Sequence, residues 1–413
     1  MMKQNANSAP ARKGAPDFQL LILTLLLVGF GLIMVYSSSA SLNFRGDSLY
    51  FIKKQFIWAG LGTAIMLVAM NMHYSKFKKL YVPMFIVTLF FLTIVMFMGS
   101  INGASSWLSI GTLGIQPSEL AKLSIILYLS ALISKKGERF RDLRTGYIPV
   151  MVIVGIVAGL IYMQNDLGTC FILVATSGLV IYSGGASLKH IMGSVALLIL
   201  GAGIVFGVKA GIDAVSNSGQ TAAEQDYRHG RIEAFLDPMK DPEGTGFHII
   251  QSLIAIGEGG VGGSGIGQSV QKLHYLPYPY TDFIFAVIGE ELGFVGTCIF
   301  LLVYLYFILR GILVSLRCND PFGTLVGIGV MGLIAIQAFI NIGGVTKTIP
   351  LTGVTLPFIS YGGSSMLVTL LAMGIVLSIS RESNRPVKEE HTKSVVVKED
   401  QPLRVIRSAR QAR

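Results

Sequence analysis

Carboxylates and ammonium groups are costly at membrane depth, so where they interrupt apolar sequence they mark candidate chemistry. Glu119 and Lys122 lie three residues apart in an apolar helical stretch and therefore share a face. They either neutralise each other or touch a substrate. Asp166 stands at a very short turn just before another apolar run, as a helix cap or as a binding residue. Glu290 and Glu291 are adjacent, so both cannot point into one cavity, and one is expected to bind a neighbouring helix. Asp282 follows a Pro-rich turn and sits amid Tyr278, Tyr280, Phe283 and Phe285. A partly apolar setting favours the protonated form of an acid, which suits a general base; the alternative is an ordinary N-cap.

The elements that must position these groups are membrane helices. Apolar residues make up 52% of the 413 and charged residues 14%. A span needs about 20 apolar residues to cross about 30 Å of hydrocarbon. The clearest stretches are Phe18 to Ala40, Leu80 to Gly99, Lys189 to Ala210, Phe283 to Leu309, Phe322 to Gly344 and Leu356 to Ser380. Shorter ones are Phe56 to Met70, Glu119 to Ile133, Ile148 to Met163 and Thr169 to Ser183. The pattern predicts an all-α polytopic membrane protein of about ten transmembrane helices. The first stretch is too long in its apolar core for a cleaved signal and is read as a retained helix.

Orientation follows from Lys and Arg in short loops, which resist translocation. They collect at the amino terminus, at Lys76, Lys78 and Lys79, at Lys135 to Arg144, at Arg310 and Arg317, and after Arg381. Both termini are then cytoplasmic, with loops 100–118, 164–168, 211–281 and 345–355 facing outward; Lys53 and Lys54 are exceptions. The net charge of +10 is accounted for by this retention rather than by nucleic-acid binding. Cys170, Cys298 and Cys318 show no pairing or metal spacing and read as small buried hydrophobes.

Residues 1–17 and 381–413 are polar and aperiodic, so both are expected to be disordered tails around one membrane domain, 18–380. The long outward loop 211–281, between the seventh and eighth spans, is the outlier. Its segment from Phe247 to Ile256 is too short to span and reads as a re-entrant or interfacial helix. The Gly-rich run Gly257 to Gly267 follows and is expected to line a cavity, since lipid cannot satisfy free amides. Residues 349–365 combine prolines, glycines and hydroxyls, Ser360 among them, in the manner of a broken helix facing a polar cavity.

Four motifs carry a resemblance: Gln116-Pro117-Ser118-Glu119-Leu120-Ala121-Lys122; Asn165-Asp166-Leu167-Gly168-Thr169; Thr281-Asp282-Phe283 running on to Gly289-Glu290-Glu291-Leu292-Gly293; and Leu356-Pro357-Phe358-Ile359-Ser360-Tyr361-Gly362-Gly363-Ser364-Ser365. In this order they resemble the SEDS family (shape, elongation, division and sporulation). The Gly-Glu-Glu-Leu-Gly stretch and Gln268 to Leu273 are more similar to its division and sporulation branches, FtsW and SpoVE, than to the elongation branch RodA. The chain departs from the common pattern at Tyr278, Tyr280, His274 and Asn165.

The resemblance implies a peptidoglycan glycosyltransferase of the bacterial cytoplasmic membrane that polymerises lipid II at its outer face. It also implies pairing with a class B penicillin-binding transpeptidase and other division proteins. Asp282 stands at the family's catalytic aspartate and would take the proton from the GlcNAc 4-hydroxyl as it attacks the anomeric carbon of MurNAc on another chain. Undecaprenyl diphosphate leaves, with Arg231, Lys272 and Lys122 as the cations to meet its charge, or a divalent ion for which no ligand set is legible. A lipid II flippase or other lipid or solute transporter is the rival reading, and a scaffold for division partners the third.

Overall fold

The computed structural model describes residues 14–40, 44, 46–97, 108–110, 113–197, 200, 234–240, 244–273 and 275–384. Arg231, His274 and the stretches 1–13 and 385–413 expected to be tails lie outside them, as does most of the lead-in to the long loop.

Helices follow the apolar runs in order: α1 (Phe18–Ser39), α2 (Tyr50–Asn71), α3 (Ser75–Val95), α4 (Pro117–Lys136), α5 (Ile148–Met163), α6 (Leu167–Ser183), α7 (188–197), α8 (Thr245–Glu258), α9 (Ile284–Leu316), α10 (Pro321–Val345) and α11 (Gly363–Ser383). Among the described residues eight are long and apolar enough to cross a membrane. The shorter α6 and the described start of α7 stand where the remaining two of the expected ten would be. A hairpin of β1 (Leu108–Ile110) and β2 (Leu113–Ile115), not expected from the sequence, precedes α4.

Boundaries move where charge or proline intervenes. The second helix begins at Tyr50 and takes in Lys53 and Lys54, the exceptions to the charge rule. Lys53 reaches Asp47 at 2.8 Å, and the Lys54 ammonium lies 4.6 Å from the Tyr50 ring centre. The last helix begins at Gly363 instead of Leu356. Pro357 has no N–H to give a helix and Phe358 has φ 67°, so residues 354–360 form an irregular turn, buried among helices, where lipid cannot reach its amides for the most part.

Burial sorts the helices. The best apolar windows of α4, α10 and α11 are 78%, 72% and 72% buried, against 17% for α3, so α4, α10 and α11 face protein while α3 faces lipid. Polar side chains at membrane depth belong on the former. At one end of the bundle the two termini of the fold meet. Asp17 caps α1, its N–H donates to Ser380 Oγ at 3.0 Å, and its carboxylate takes Arg310 Nη2 at 2.6 Å. Arg381 and Asn384 donate to the carbonyls of Gly14 and Ala15. The helix therefore runs past the expected boundary at 380. The hairpin, α8 and the segment leading into α9 occupy the opposite end.

The outer end of α9 is broken. Gly293 has φ 64° and ψ −172°, which no helix tolerates. The glycine-rich run lies against the break and supplies partners the helix has lost: Ser264 and Gly265 N–H donate to the carbonyls of Glu290 and Glu291, and Phe294 and Val295 N–H donate to those of Gly260 and Val261, all at 2.9–3.1 Å. Backbones this close exclude side chains. A Cβ on Gly293 would sit 2.1 Å from Gly263 N, and one on Gly263, itself at φ 79°, would sit 2.3 Å from the Glu291 carbonyl oxygen. Most of this run is exposed, and its close approach at Gly263 docks it to α9.

Candidate active site

Asp282 lies half-buried where the loop from Tyr275 enters α9, at the end of the bundle away from the termini. Three successive carbonyls hold it there, each bonded by a different group. The Tyr280 carbonyl accepts from Tyr361 N–H at 2.8 Å, that of Thr281 from Ser360 Oγ at 2.6 Å, and that of Asp282 from Asn341 Nδ2 at 2.8 Å. Thr281 Oγ1 lies 2.8 Å from Asp282 Oδ1. The carboxylate thus hangs from backbone tied to α10 and to the 349–362 segment.

That segment is itself anchored. Ser360 Oγ accepts from Leu356 N–H at 2.8 Å while it donates to Thr281, so the hydroxyl expected to face a polar cavity joins two loops. Gln55 of α2 donates to the Ser360 carbonyl and accepts from Gly362 N–H. Gly31 of α1 admits the Phe358 carbonyl, which a Cβ would approach to 2.2 Å.

Beside Asp282 stands an aromatic wall: Phe51 and Tyr280 at 4.2 Å between ring centres, with Tyr361 5.3 Å and 5.6 Å from them. Burial raises both phenols above the ordinary tyrosine value, Tyr361 to about 12. Neither phenol ionises at neutral pH, so the wall adds no charge next to the acid.

Glu119 and Lys122 form a buried ion pair at 2.9 Å, as the spacing allowed. The Lys122 ammonium also donates to Gln337 Oε1 at 3.1 Å, and a small cavity between α4, α10 and α11 adjoins all three. Gln337 and Asn341 sit one turn apart on α10, on one face. Their amides donate to consecutive carbonyls, Thr355 and Val354, so one polar stripe links the ion pair to the Asp282 loop.

Glu290 and Glu291 divide as expected. Glu290 receives Ser269 Oγ at 2.5 Å and the N–H groups of Val270 and Gln271, capping the loop. Glu291 binds Ser37 on the neighbouring α1 at 2.5 Å and Lys272 at 2.9 Å. Lys272, expected to face a leaving group, is therefore buried with its ammonium shared between Glu291 and Ser37 Oγ. Asp166 caps α6 through Thr169 N–H and also takes Gln116 Nε2 at 3.2 Å, which fastens α6 to the start of α4.

The geometry therefore joins Asp282 to Ser360 through the Thr281 carbonyl and to Lys122 and Glu119 through α10, while Lys272 and Asp166 belong to separate clusters. Asn341, Gln337 and Ser37 were missed by sequence reasoning because they carry no charge, and Thr281 was marked only as part of a motif. Two amides four residues apart in the apolar run Phe322 to Gly344 were the available signal. Among the described residues no group of three or more His, Cys, Asp or Glu is placed to hold a metal ion.

A family model covering FtsW, RodA and SpoVE, described as a cell cycle protein, matches residues 18–385. The chain belongs to the FtsW/RodA/SpoVE family. Stage V sporulation protein E of Bacillus subtilis (strain 168) is 41% identical over 377 residues, covering 90% of this chain and 99% of its own length. The probable peptidoglycan glycosyltransferase FtsW of Geobacter metallireducens is 38% identical over 369 residues, with 88% and 94% covered. A solved chain from work on the structural coordination of polymerization and crosslinking by a peptidoglycan synthase complex superposes with a TM-score of 0.72 at 29% identity, covering 90% of this chain and 99% of its own. The rod shape determining protein RodA of Thermus thermophilus does so at 0.64 and 25%, with the same coverage. Membership of the FtsW/RodA/SpoVE family makes this a multi-span membrane protein with the architecture that RodA shares.

Proposed function

We propose that the chain is a peptidoglycan glycosyltransferase that polymerises lipid II at the outer face of the cytoplasmic membrane, with Asp282 as general base. The observation that carries the base assignment is the presentation of a half-buried carboxylate, at the end opposite the termini, by backbone secured through three consecutive carbonyls. A base must be held within hydrogen-bond reach of the proton it removes, and fixed backbone is how a protein achieves that. The names of the FtsW relatives supply the substrate class.

In the reaction, the 4-hydroxyl oxygen of one sugar bonds to the anomeric carbon of another as its proton passes to Asp282. The bond from that carbon to the diphosphate breaks, and undecaprenyl diphosphate departs with the electron pair. Of the three cations expected to meet that charge, Arg231 lies outside the described residues. Lys272 and Lys122 each already face a carboxylate at 2.9 Å, so they act as buried pairs and not as lone charges. A class B penicillin-binding transpeptidase is the proposed partner, in keeping with the synthase complex in which the similar chain was solved. Both termini are cytoplasmic in this scheme.

The test uses the purified full chain in detergent with lipid II. Glycan polymer is expected on gels, and Asp282→Asn is expected to abolish it while keeping the same melting temperature. Normal polymer from Asp282→Asn refutes the base assignment. No polymer from the intact chain, alone or with a transpeptidase, favours transport, because detergent leaves no two sides to transport between.

A further inference from the structure

Thr281 has one hydroxyl proton and two acceptors within reach. Its Oγ1 lies 2.8 Å from Asp282 Oδ1 and 3.0 Å from the carbonyl oxygen of Tyr278. A hydroxyl donates once, so the two contacts cannot both be donated at the same time. An ionised carboxylate only accepts, and a hydrogen bond to a charged acceptor is roughly twice as strong as a neutral one. With Asp282 ionised, the Thr281 proton therefore goes to Oδ1, and the Tyr278 carbonyl keeps the Thr281 N–H at 3.1 Å. Once Asp282 is protonated, both acceptors are neutral carbonyl oxygens and the preference for Oδ1 is lost. The hydroxyl can then turn to Tyr278 without any heavy atom moving.

The backbone around this switch is built to keep both acceptors in place. Tyr278 has φ 48°, a left-handed conformation that is an outlier for a bulky residue and must be imposed by its surroundings. It turns the Tyr278 carbonyl back onto Thr281. The Thr281 and Asp282 carbonyls are held from Ser360 and Asn341.

We propose that Thr281 is a positioning residue for the proton transfer, a two-position donor that engages Oδ1 of the ionised base and releases it when the proton arrives. This rests on the reading of Asp282 as the base. In the step itself the substrate O–H proton goes to the Asp282 carboxylate, and the electron pair of that O–H bond forms the new glycosidic bond.

The experiment measures kcat/KM for polymer formation against pH in the full chain, with Thr281→Val, Thr281→Ser and Thr281→Cys. Valine keeps the shape and deletes the donor. The acid limb of its profile is expected about one pH unit higher, with KM for lipid II unchanged, because the ionised carboxylate loses a charge-assisted bond. Serine is expected to restore the limb. Cysteine, a weak donor, should give an intermediate one and carries the test if the valine variant does not fold. An acid limb that stays at the wild-type pH in both Val and Cys overturns the proposal, whatever their plateau rates.

Other titratable groups facing this segment are common to all the variants, so they cancel in the comparison. They are Tyr278 and Tyr280 beside it, Tyr361 from the 349–362 segment, and His248 of α8, whose ring lies 5.9 Å from that of Phe283; α10 contributes the neutral Asn341. If Asp282→Asn still polymerises, the base reading fails and takes this one with it. If Asp282→Asn is inactive but the limb is unmoved, only the role of Thr281 falls.

Discussion

A neutral amide, Asn341, helps to hold Asp282 in place. Its single Nδ2 group joins the Asp282 and Val354 carbonyls at 2.8 and 2.7 Å while 3% exposed. Removing one partner of a buried bond leaves the other unsatisfied, at a cost of about 1–3 kcal/mol. Asn341→Ala is therefore expected to lower kcat for polymer formation by tenfold or more, through misplacement of the base, with a smaller change in KM. Steady-state kinetics on lipid II check this, and an unchanged kcat refutes it. At this scale the sequence made charge visible and neutrality invisible. Asp282, Glu119 with Lys122, and Asp166 were legible because ionisable groups stand out in apolar surroundings. Gln337, Asn341 and Ser37 were not, since only the fold shows that their partners are distant carbonyls and carboxylates. Lys272 was legible as a cation, but its pairing with Glu291 depends on how the loop folds back.

At the scale of elements, the break in α9 explains why a loop of glycines lies on the bundle. Gly293→Ala places a Cβ 2.1 Å from Gly263 N in a backbone conformation that alanine resists. The expected loss is about 1–3 kcal/mol, seen as a lower melting temperature in detergent together with loss of polymer. Gly257 in α8 is the control, because nothing lies within 4 Å of its Cβ position. Gly257→Ala is expected to leave the melting temperature unchanged or raise it slightly, through lower unfolded-chain entropy. Equal destabilisation by both would show that the close approach at Gly293 is unimportant. Spans were readable from apolar length alone, while their ends were not. Tyr50 and Gly363 begin helices where Lys53, Lys54 and Pro357 hid the boundary, and Gly293, one of three glycines within Phe283 to Leu309, looked like any other small residue in a membrane helix.

For the whole molecule, the fold separates two faces. The termini meet at one end through Asp17, Arg310 and Ser380, and Asp282 lies at the other. In intact cells a membrane-impermeant thiol reagent is expected to label Tyr278→Cys, in a background lacking Cys170, Cys298 and Cys318. Lys78→Cys is expected to react only after permeabilisation. The reverse pattern would put the acid in the cytosol and defeat the proposed reaction. The alternation of basic loops already suggested this arrangement, and the contact between the chain ends agrees with an even number of crossings.

That contact also bears on how the protein is made. Asp17 is made well before its partners: the serine that receives its N–H comes 363 positions later and the arginine that neutralises it 293 later. A nascent chain therefore carries its opening helix into the bilayer with the cap to Leu20 in place but the seam unsealed. Closure waits for α11, so the seam at that end forms only after Ser380 has been made.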